Sequence, residues 1–201
     1  MSEFFLELFS EEIPAALQQK ARNVLLENFQ KLFQEKQISF KKSSSFSTPN
    51  RLIILFEGLS KEIIQKAEEI KGPNINAPEK AIEGFLRSNQ IDKNDLFKKK
   101  IEKGEFYFFL KSSKKIDTIN LLEENAPLVF DKLQWKKSMK WGCYNLSWAR
   151  PLKSILGIFD NKSLGFKFHH LTCSNTTFTD KEFEDKKKIF KNFKSYKDFF
   201  S

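Results

Sequence analysis

The stretch that decides the fold reads FFLELFSEEIPAALQQKARNVLLENFQKLFQEKQ, from Phe4 to Gln37. Its first six residues alternate, with Phe4, Leu6 and Leu8 on one side and Glu7 on the other, which predicts a short strand. Ser10 follows as a candidate cap, Glu11 and Glu12 bring acid to a helix start, and Pro14 sits where a first helical turn tolerates it. Leu17, Ala21, Val24, Leu25, Phe29 and Leu32 then recur at helical spacing as far as about Gln37. A strand running into a helix is the opening unit.

Further elements follow in irregular alternation. A polar Ser/Lys stretch at 41–45 leads to Phe46 and a turn at Thr48-Pro49-Asn50, and Arg51 to Leu59 reads as a strand. Residues 61–70 suit helix or strand, and Lys71-Gly72-Pro73 is expected to break whatever precedes it. A short helix starts from Pro78 with Ala81, Phe85 and Leu86, and Ile101 to Leu110 reads as a hairpin turning at Lys103-Gly104. Asp117 caps a helix with Leu121 and Leu122 that Pro127 bends or splits. Residues 135–151 form a loop, Leu152–Phe159 pairs with Leu164–Phe168, and Phe190, Phe193 and Tyr196 show rough helical spacing. The fold class is α+β, with a mixed or antiparallel sheet.

At 201 residues the chain suits one large domain or two small ones. Residues 1–180 read as an α+β region, with a break between two lobes placed near 71–78 or 112–117; 181–201 read as the Lys- and Phe-rich start of a following segment. Hydrophobic residues make up 40% of the chain, which argues against disorder. There are 23 phenylalanines against 3 tyrosines and 3 tryptophans, and only four of 35 basic residues are arginine, so Lys number alone argues weakly for a partner. The net charge of +9 is nevertheless graded: residues 1–50 carry none, and the next three stretches carry +2, +3 and +4. Such a gradient makes nucleic acid a legitimate partner, against the plainer reading of a solvated Lys-rich surface. The acidic start at Glu3 and Glu7 does not suit a signal peptide, no apolar run nears the ~20 residues that span a bilayer, and Cys143 and Cys173 make no secreted disulfide framework. The chain reads as cytoplasmic, with no membrane partner.

Catalytic patterns are missing from the sequence. No Gly-rich phosphate loop occurs, and Cys143 and Cys173 are 30 positions apart without CxxC spacing. His169 and His170 are adjacent, so on a strand they would face opposite sides and could not share a metal. Glu11 and Glu12 look like a carboxylate pair, but neighbours on a helix do not face each other, and acids at a helix start meet its dipole. The suggestive segment is the loop at 135–151, where Trp135, Lys136, Lys137, Lys140, Trp141 and Arg150 interleave aromatic rings with cations. That mixture can stack on bases and neutralise phosphates, and it can equally be Trp core anchors with solvated lysines.

These landmarks resemble the β subunit of the bacterial heterotetrameric glycyl-tRNA synthetase. That family opens with a strand, a Gly-Thr-Glu-Glu-(Leu/Ile)-Pro segment and a long helix; here the segment is Phe9-Ser10-Glu11-Glu12-Ile13-Pro14, with the Gly-Thr lost. Its Thr-Pro-Arg-Arg-Leu is similar to Thr48-Pro49-Asn50-Arg51-Leu52, and its Lys-Gly-Pro stands intact at Lys71-Gly72-Pro73. Its Ala-x-x-Gly-Phe-x-Arg runs from Ala81 through Gly84 to Arg87, and Lys103-Gly104-Glu105 matches as well. Its Lys-x-Met-Arg-Trp-Gly runs from Lys137 to Gly142 with Lys140 for Arg, and its Phe-x-Arg-Pro becomes Trp148-Ala149-Arg150-Pro151. The family's Gly-His-Arg-Phe element, due after about 175, is replaced by Asn175-Thr176-Thr177-Phe178-Thr179-Asp180.

The resemblance implies a subunit of glycine-tRNA ligase that supports ATP-dependent attachment of glycine to tRNA(Gly). It implies assembly with a catalytic α subunit as α2β2, with ATP and Mg used by the complete enzyme and no cofactor bound by this chain. Site expectations follow: RNA contact by Arg51, Arg87, Lys136, Lys137, Lys140, Trp141 and Arg150, and structural roles for Glu11, Glu12, Pro14, Gly72, Pro73, Gly84, Gly142 and Pro151. Three of the four arginines fall in these elements, which argues that the geometry there wants a planar guanidinium. The family's β subunit continues into HD-type and anticodon-binding domains, so the chain reads as a truncated product, a partial sequence or part of a split subunit. On that view the tail's Phe183, Phe190, Phe193, Phe199 and Phe200 form an uncovered stripe, and removing 181–201 is expected to improve solubility. The alternatives are a freestanding basic RNA-binding module and a purely structural interaction domain.

Overall fold

The computed structural model describes residues 2–65, 67–101, 104–111, 113–180 and 186–201. In chain order its elements begin with β1 (Glu3–Ser10), α1 (Ala15–Glu35), β2 (Lys42–Thr48), β3 (Arg51–Glu57), β4 (Glu62–Gln65) and β5 (Glu68–Asn74). They continue with α2 (Glu79–Asn89), β6 (Leu96–Ile101), β7 (Gly104–Lys111), β8 (Lys114–Asp117) and α3 (Thr118–Asp131). The last third holds β9 (Leu152–Phe159), β10 (Lys162–Ser163), β11 (Lys167–Phe168), β12 (Leu171–Ser174), β13 (Thr176–Phe178), β14 (Lys187–Ile189) and α4 (Phe193–Phe200). The chain divides into two compact units, Met1–Ile63 with Asp117–Ser201, and Ile64–Ile116. Helices and strands are mixed along the chain and the sheets are mixed or antiparallel, so the fold is α+β.

The first unit is built on a sheet in the order β11-β12-β9-β1-β3-β2, with β10 hydrogen-bonded to β9. β1 is central, antiparallel to both β3 and β9, while β12 runs parallel to β9. Its alternation therefore separates two buried faces. Phe4 meets Phe29 and Phe33 of α1 at ring distances of 5.3 and 6.3 Å, and Phe29 in turn reaches Phe130 of α3. On the opposite face Phe5 packs edge-on to Tyr196 of α4 at 4.9 Å, and Phe9 stacks on Phe178 of β13 at 5.2 Å. Each fully buried Phe is worth about 1.5–3 kcal/mol, so a Phe-rich composition suits a sheet covered on both sides. The polar stretch 42–48 forms the edge strand β2 because its serines bond to α1: Gln30 donates to Ser43 at 2.9 Å and Ser45 to Asn23 at 3.2 Å.

The second face holds a charge. Glu7 is fully buried, and Arg51, opposite Phe9 on β3, donates to its carboxylate at 2.7 Å. Thr177 and Tyr196 hydroxyls also donate to Glu7, and the guanidinium reaches Thr177 and the Phe178 carbonyl oxygen. The rings of Phe9 and Phe200 have their centres 4.5 Å from the guanidinium carbon. Burial, and then the Glu7 charge, push the Tyr196 phenol far above its ordinary range, so it stays a donor. A planar fork is what this site requires of residue 51.

The second unit has a three-stranded antiparallel sheet in the order β5-β7-β6, with α2 on one face. A Cβ on Gly72 would stand 2.8 Å from the Phe85 ring and 3.1 Å from the Tyr107 carbonyl oxygen, so only glycine lets α2 approach. Phe85 packs edge-on to Phe109 at 5.9 Å. Gly84, by contrast, has nothing within 4 Å of the place a Cβ would take.

Several expectations are corrected. Ser10 does not cap α1, which starts at Ala15 after Pro14 with no side-chain cap and no acid in its first turn. Ser10 belongs instead to the end of β1, whose pairing partners hold the backbone extended to that point, and Glu11–Pro14 bridge to the helix. Lys71-Gly72-Pro73 does not break the chain: β5 runs through it with a register shift between Lys71 and Asn74, which accommodates the missing N–H of Pro73. Pro127 does not split α3, because Ala126, Val129 and Phe130 are buried around it. The expected return onto β9 is made by β10 and by the Leu164 N–H, which donates to the Gly157 carbonyl oxygen at 2.9 Å, whereas β11 pairs with β12 and His169 and His170 occupy the turn between them. The hairpin turn expected at Lys103-Gly104 includes Lys103, which lies outside the described residues, as do residues 181–185 with Phe183. The units divide after Ile63 and after Ile116, and the described tail belongs to the first of them. The expected uncovered stripe is covered in part: Phe199 and Phe200 stay 43% and 39% exposed, but the rest of the described stripe packs on the sheet. Phe190 and Tyr196 are buried with Phe5, Ile53, Leu156 and Ile158, and Glu3 accepts the Phe193 N–H at 2.8 Å at the start of α4.

Two measurements test this account. Arg51→Ala strips the partner from a buried carboxylate and is expected to cost about 3–5 kcal/mol in urea unfolding. Lys42→Ala, which breaks only the exposed pair to Glu57, should cost under about 1 kcal/mol; equal effects would show that the buried pair adds nothing. Removing residues 181–201 should lower the melting midpoint and raise light scattering, because it uncovers Glu7 and the apolar residues around it. A shortened chain that stays monodisperse and melts with the full one would refute that role for the tail.

Candidate nucleic-acid interface

After α3, Leu133 donates its N–H to the Phe130 carbonyl oxygen at 3.0 Å and the chain leaves the helix. Met139 and Trp148 then exchange both backbone hydrogen bonds, at 2.8 and 3.1 Å, closing residues 139–148 into a small hairpin. Its tip is a turn in which Tyr144 N–H reaches the Trp141 carbonyl oxygen at 3.2 Å. Gly142 adopts φ +55° in that turn, a conformation a side chain would strain. The Lys-x-Met-Lys-Trp-Gly pattern thus leads into the hairpin and forms its first arm and tip, and its glycine is there for backbone geometry.

The tryptophans have separate duties. Trp148 is buried, Trp135 lies against it at 5.2 Å, and Phe168 of β11 approaches it at 6.1 Å. Those two tryptophans are core anchors, although neither indole N–H has a hydrogen-bond partner. Trp141 is half-buried and presents its ring to His170 at 6.0 Å, nearly perpendicular. Tyr144 stacks on His170 at 3.6 Å with 9° between the planes, and keeps 41% of its surface exposed. Burial, and then the neighbouring His169, lower the pKa of His170 from its ordinary value, which favours the neutral imidazole in the stack. Lys136, Lys137 and Lys140 are exposed on the same loop. The result is an open aromatic surface with cations on the same segment, able to stack on an unpaired base and contact phosphate.

The sequence singled out Trp141 and the lysines but missed Tyr144 and His170. The paired histidines were visible, yet only the turn at 169–170 brings one of them onto the hairpin.

The other expected contacts are dispersed. Arg51 is buried in its ion pair and is not available to a ligand. Arg150 is half-buried and donates to the Ala149 carbonyl oxygen at 3.1 Å. Arg87 is exposed on α2, in the other unit. The remaining motif residues knit the backbone together. Glu11 N–H donates to the Pro151 carbonyl oxygen at 2.9 Å, Ile13 N–H to that of Pro49 at 2.7 Å, and Ser10 N–H to that of Asn50 at 2.8 Å. Three motifs distant in sequence therefore meet at one junction, where Glu11 and Glu12 are exposed and no carboxylate pair is built into a cleft. Among the described residues, no three His, Cys, Asp or Glu side chains gather as a metal site. Cys173 is buried, and burial followed by the Glu123 charge raises its thiol well above the ordinary range, which leaves it unreactive.

Comparison with known proteins bears on what this arrangement serves. Residues 4–201 match the family model of the glycyl-tRNA synthetase beta subunit. The chain is 41% identical over 197 residues to the glycine–tRNA ligase beta subunit of Rickettsia prowazekii, covering 98% of this chain and 30% of that protein. The corresponding subunit of Rickettsia typhi is 42% identical, with 98% and 30% covered. That of Rickettsia canadensis is 42% identical, with 98% and 29% covered. The chain thus spans about 30% of the length of the curated relatives it matches. With the match extending over both units and through the buried ion pair and the aromatic hairpin, the chain belongs to the glycyl-tRNA synthetase beta subunit family.

Proposed function

We propose that this chain serves the ATP-dependent attachment of glycine to tRNA(Gly) as part of a ligase beta subunit, by contacting tRNA and assembling with a catalytic alpha subunit. The observation that carries the reading is the family match over residues 4–201. The hairpin at 139–148 and the residues beside it supply a fitting chemistry for it: Trp141, Tyr144 and His170 offer ring surface, and Lys136, Lys137 and Lys140 offer charge to phosphates. The assembly is α2β2, ATP with Mg is bound by the complete enzyme rather than by this chain, and the work is done in the cytoplasm. No described helix is long and apolar enough to cross a membrane. This chain contributes scaffold, subunit contact and RNA contact, and the bond-making groups belong to the partner subunit.

Two assays separate this reading from its rivals. The purified chain should give no glycine-dependent exchange between ATP and pyrophosphate; exchange would place the activating site here. It should bind tRNA(Gly) with an affinity that falls as salt rises, because each neutralised phosphate releases a counterion. Replacing Lys136, Lys137 and Lys140 together by alanine should flatten the plot of log affinity against log salt by roughly 0.7–0.9 for each phosphate no longer neutralised. An unchanged slope would clear the loop of RNA binding.

A further inference from the structure

The sheet of the second unit has two unlike faces. Strand pairing places Leu96, Tyr107, Phe109 and Ile70 on the face that α2 covers through Phe85. The opposite face carries Phe106 and Phe108 of β7, with Phe97 and Lys99 paired to them from β6 and Lys71 from β5. Phe97 is 38% exposed and stacks on Phe108 at 6.1 Å with 28° between the rings. The Lys71 ammonium sits 3.7 Å from the centre of the Phe106 ring, and that of Lys99 5.6 Å from the centre of the Phe108 ring. Lys99 also pairs with Glu69 across the sheet.

We propose that this face, on which Phe97 is exposed and Phe106 half-buried while Phe108 is buried beneath them, is a second RNA-binding surface, on which unpaired nucleotides stack on Phe97 and Phe106 while Lys71 and Lys99 take their phosphates. It rests on RNA being the ligand, the reading proposed for the whole chain, but places contact on different residues of a different unit. An apolar protein partner would want the middle of such a face free of lysine, since interface cores are depleted of it. Here two lysines alternate with the rings. A lysine run on an edge strand also guards against strand pairing, which accounts for Lys98 and Lys100 but not for Lys71 and Lys99 lying over the rings. An exposed cation–π contact is weak, so a lysine can leave its ring for a phosphate and open the ring to a base. Flat ring stacking with loosely bound cations is the chemistry of single-stranded RNA recognition on open sheets.

The test uses the full chain and a fluorescently labelled eight-nucleotide uridine oligomer, read by anisotropy across a salt series. Phe97→Leu and Phe106→Leu keep apolar volume but remove the flat ring, and each should weaken binding about fivefold or more. Lys71→Gln and Lys99→Gln should each lower the salt slope by about 0.7, and these exposed changes decide the matter if a leucine variant melts early. Ultraviolet crosslinks should map to residues 96–111. Failure of the oligomer to bind, unchanged affinity and slope in all four variants, or crosslinks confined to 135–151 would each overturn the proposal. So would a salt-independent self-association through this face, which would mark it as a protein interface. The same variants titrated with tRNA(Gly) keep the two readings apart. If tRNA responds only to the loop lysines, this surface falls and the loop stands; if the wild-type chain binds no tRNA, both fall.

Discussion

A carboxylate taken wholly out of water must be neutralised and given hydrogen-bond donors, and Glu7 meets both demands by drawing together four segments of the first unit. The charge comes from Arg51 on β3, the hydroxyls from Thr177 on β13 and Tyr196 on α4, and the carboxylate itself from the central strand β1. Because Glu7 lies far in sequence from every one of these partners, the network cannot be satisfied locally. It forms only when the sheet is assembled and the tail lies on it. The two rings in contact with the guanidinium, Phe9 and Phe200, come from β1 and α4, the same strand and helix that supply Glu7 and Tyr196.

That arrangement explains a composition dominated by phenylalanine. A sheet covered on both sides needs apolar residues at nearly every position of its central strands, and β1 and β3 are buried almost throughout. Phe4, Phe29, Phe33 and Phe56 fill one side, and Phe5, Phe190 and Phe193 with Tyr196 fill the other. Lysines then cover what remains, several with the ammonium over a ring, as Lys188 lies over Phe199 at 3.7 Å.

The short motifs of the family are mostly junctions. Glu11 and Ile13 donate their N–H groups to the Pro151 and Pro49 carbonyl oxygens, Gly72 makes room for Phe85, and Gly142 turns the aromatic hairpin. Among the described residues, none of these motifs places an acid, base or nucleophile in a cleft. Gly84 is different, an exposed helical glycine with open space around it, and nothing in the structure explains it.

The sequence by itself was enough for the opening strand and helix, the strand from Arg51, the short helix after Pro78, the hairpin before Leu110 and the α+β class. Hydrophobic period and turn chemistry are local, so they survive without a fold. It also located the Trp/Lys loop, because interleaved rings and cations are visible in one segment. The buried role of Glu7 was hidden, since a lone acid in an apolar strand reads as a wet face until its partner is known. The use of Arg51 inside the unit, the cover that the tail gives the sheet, and the stacking of His170 on Tyr144 were equally out of reach. Those depend on pairings that no window of sequence contains, such as Phe9 with Phe178, or Glu7 with Tyr196 at a separation of 189 positions. Local pattern decides which segments become strands or helices; only tertiary packing decides which buried charge finds which partner, because an unpaired charge in the core is excluded by its desolvation cost.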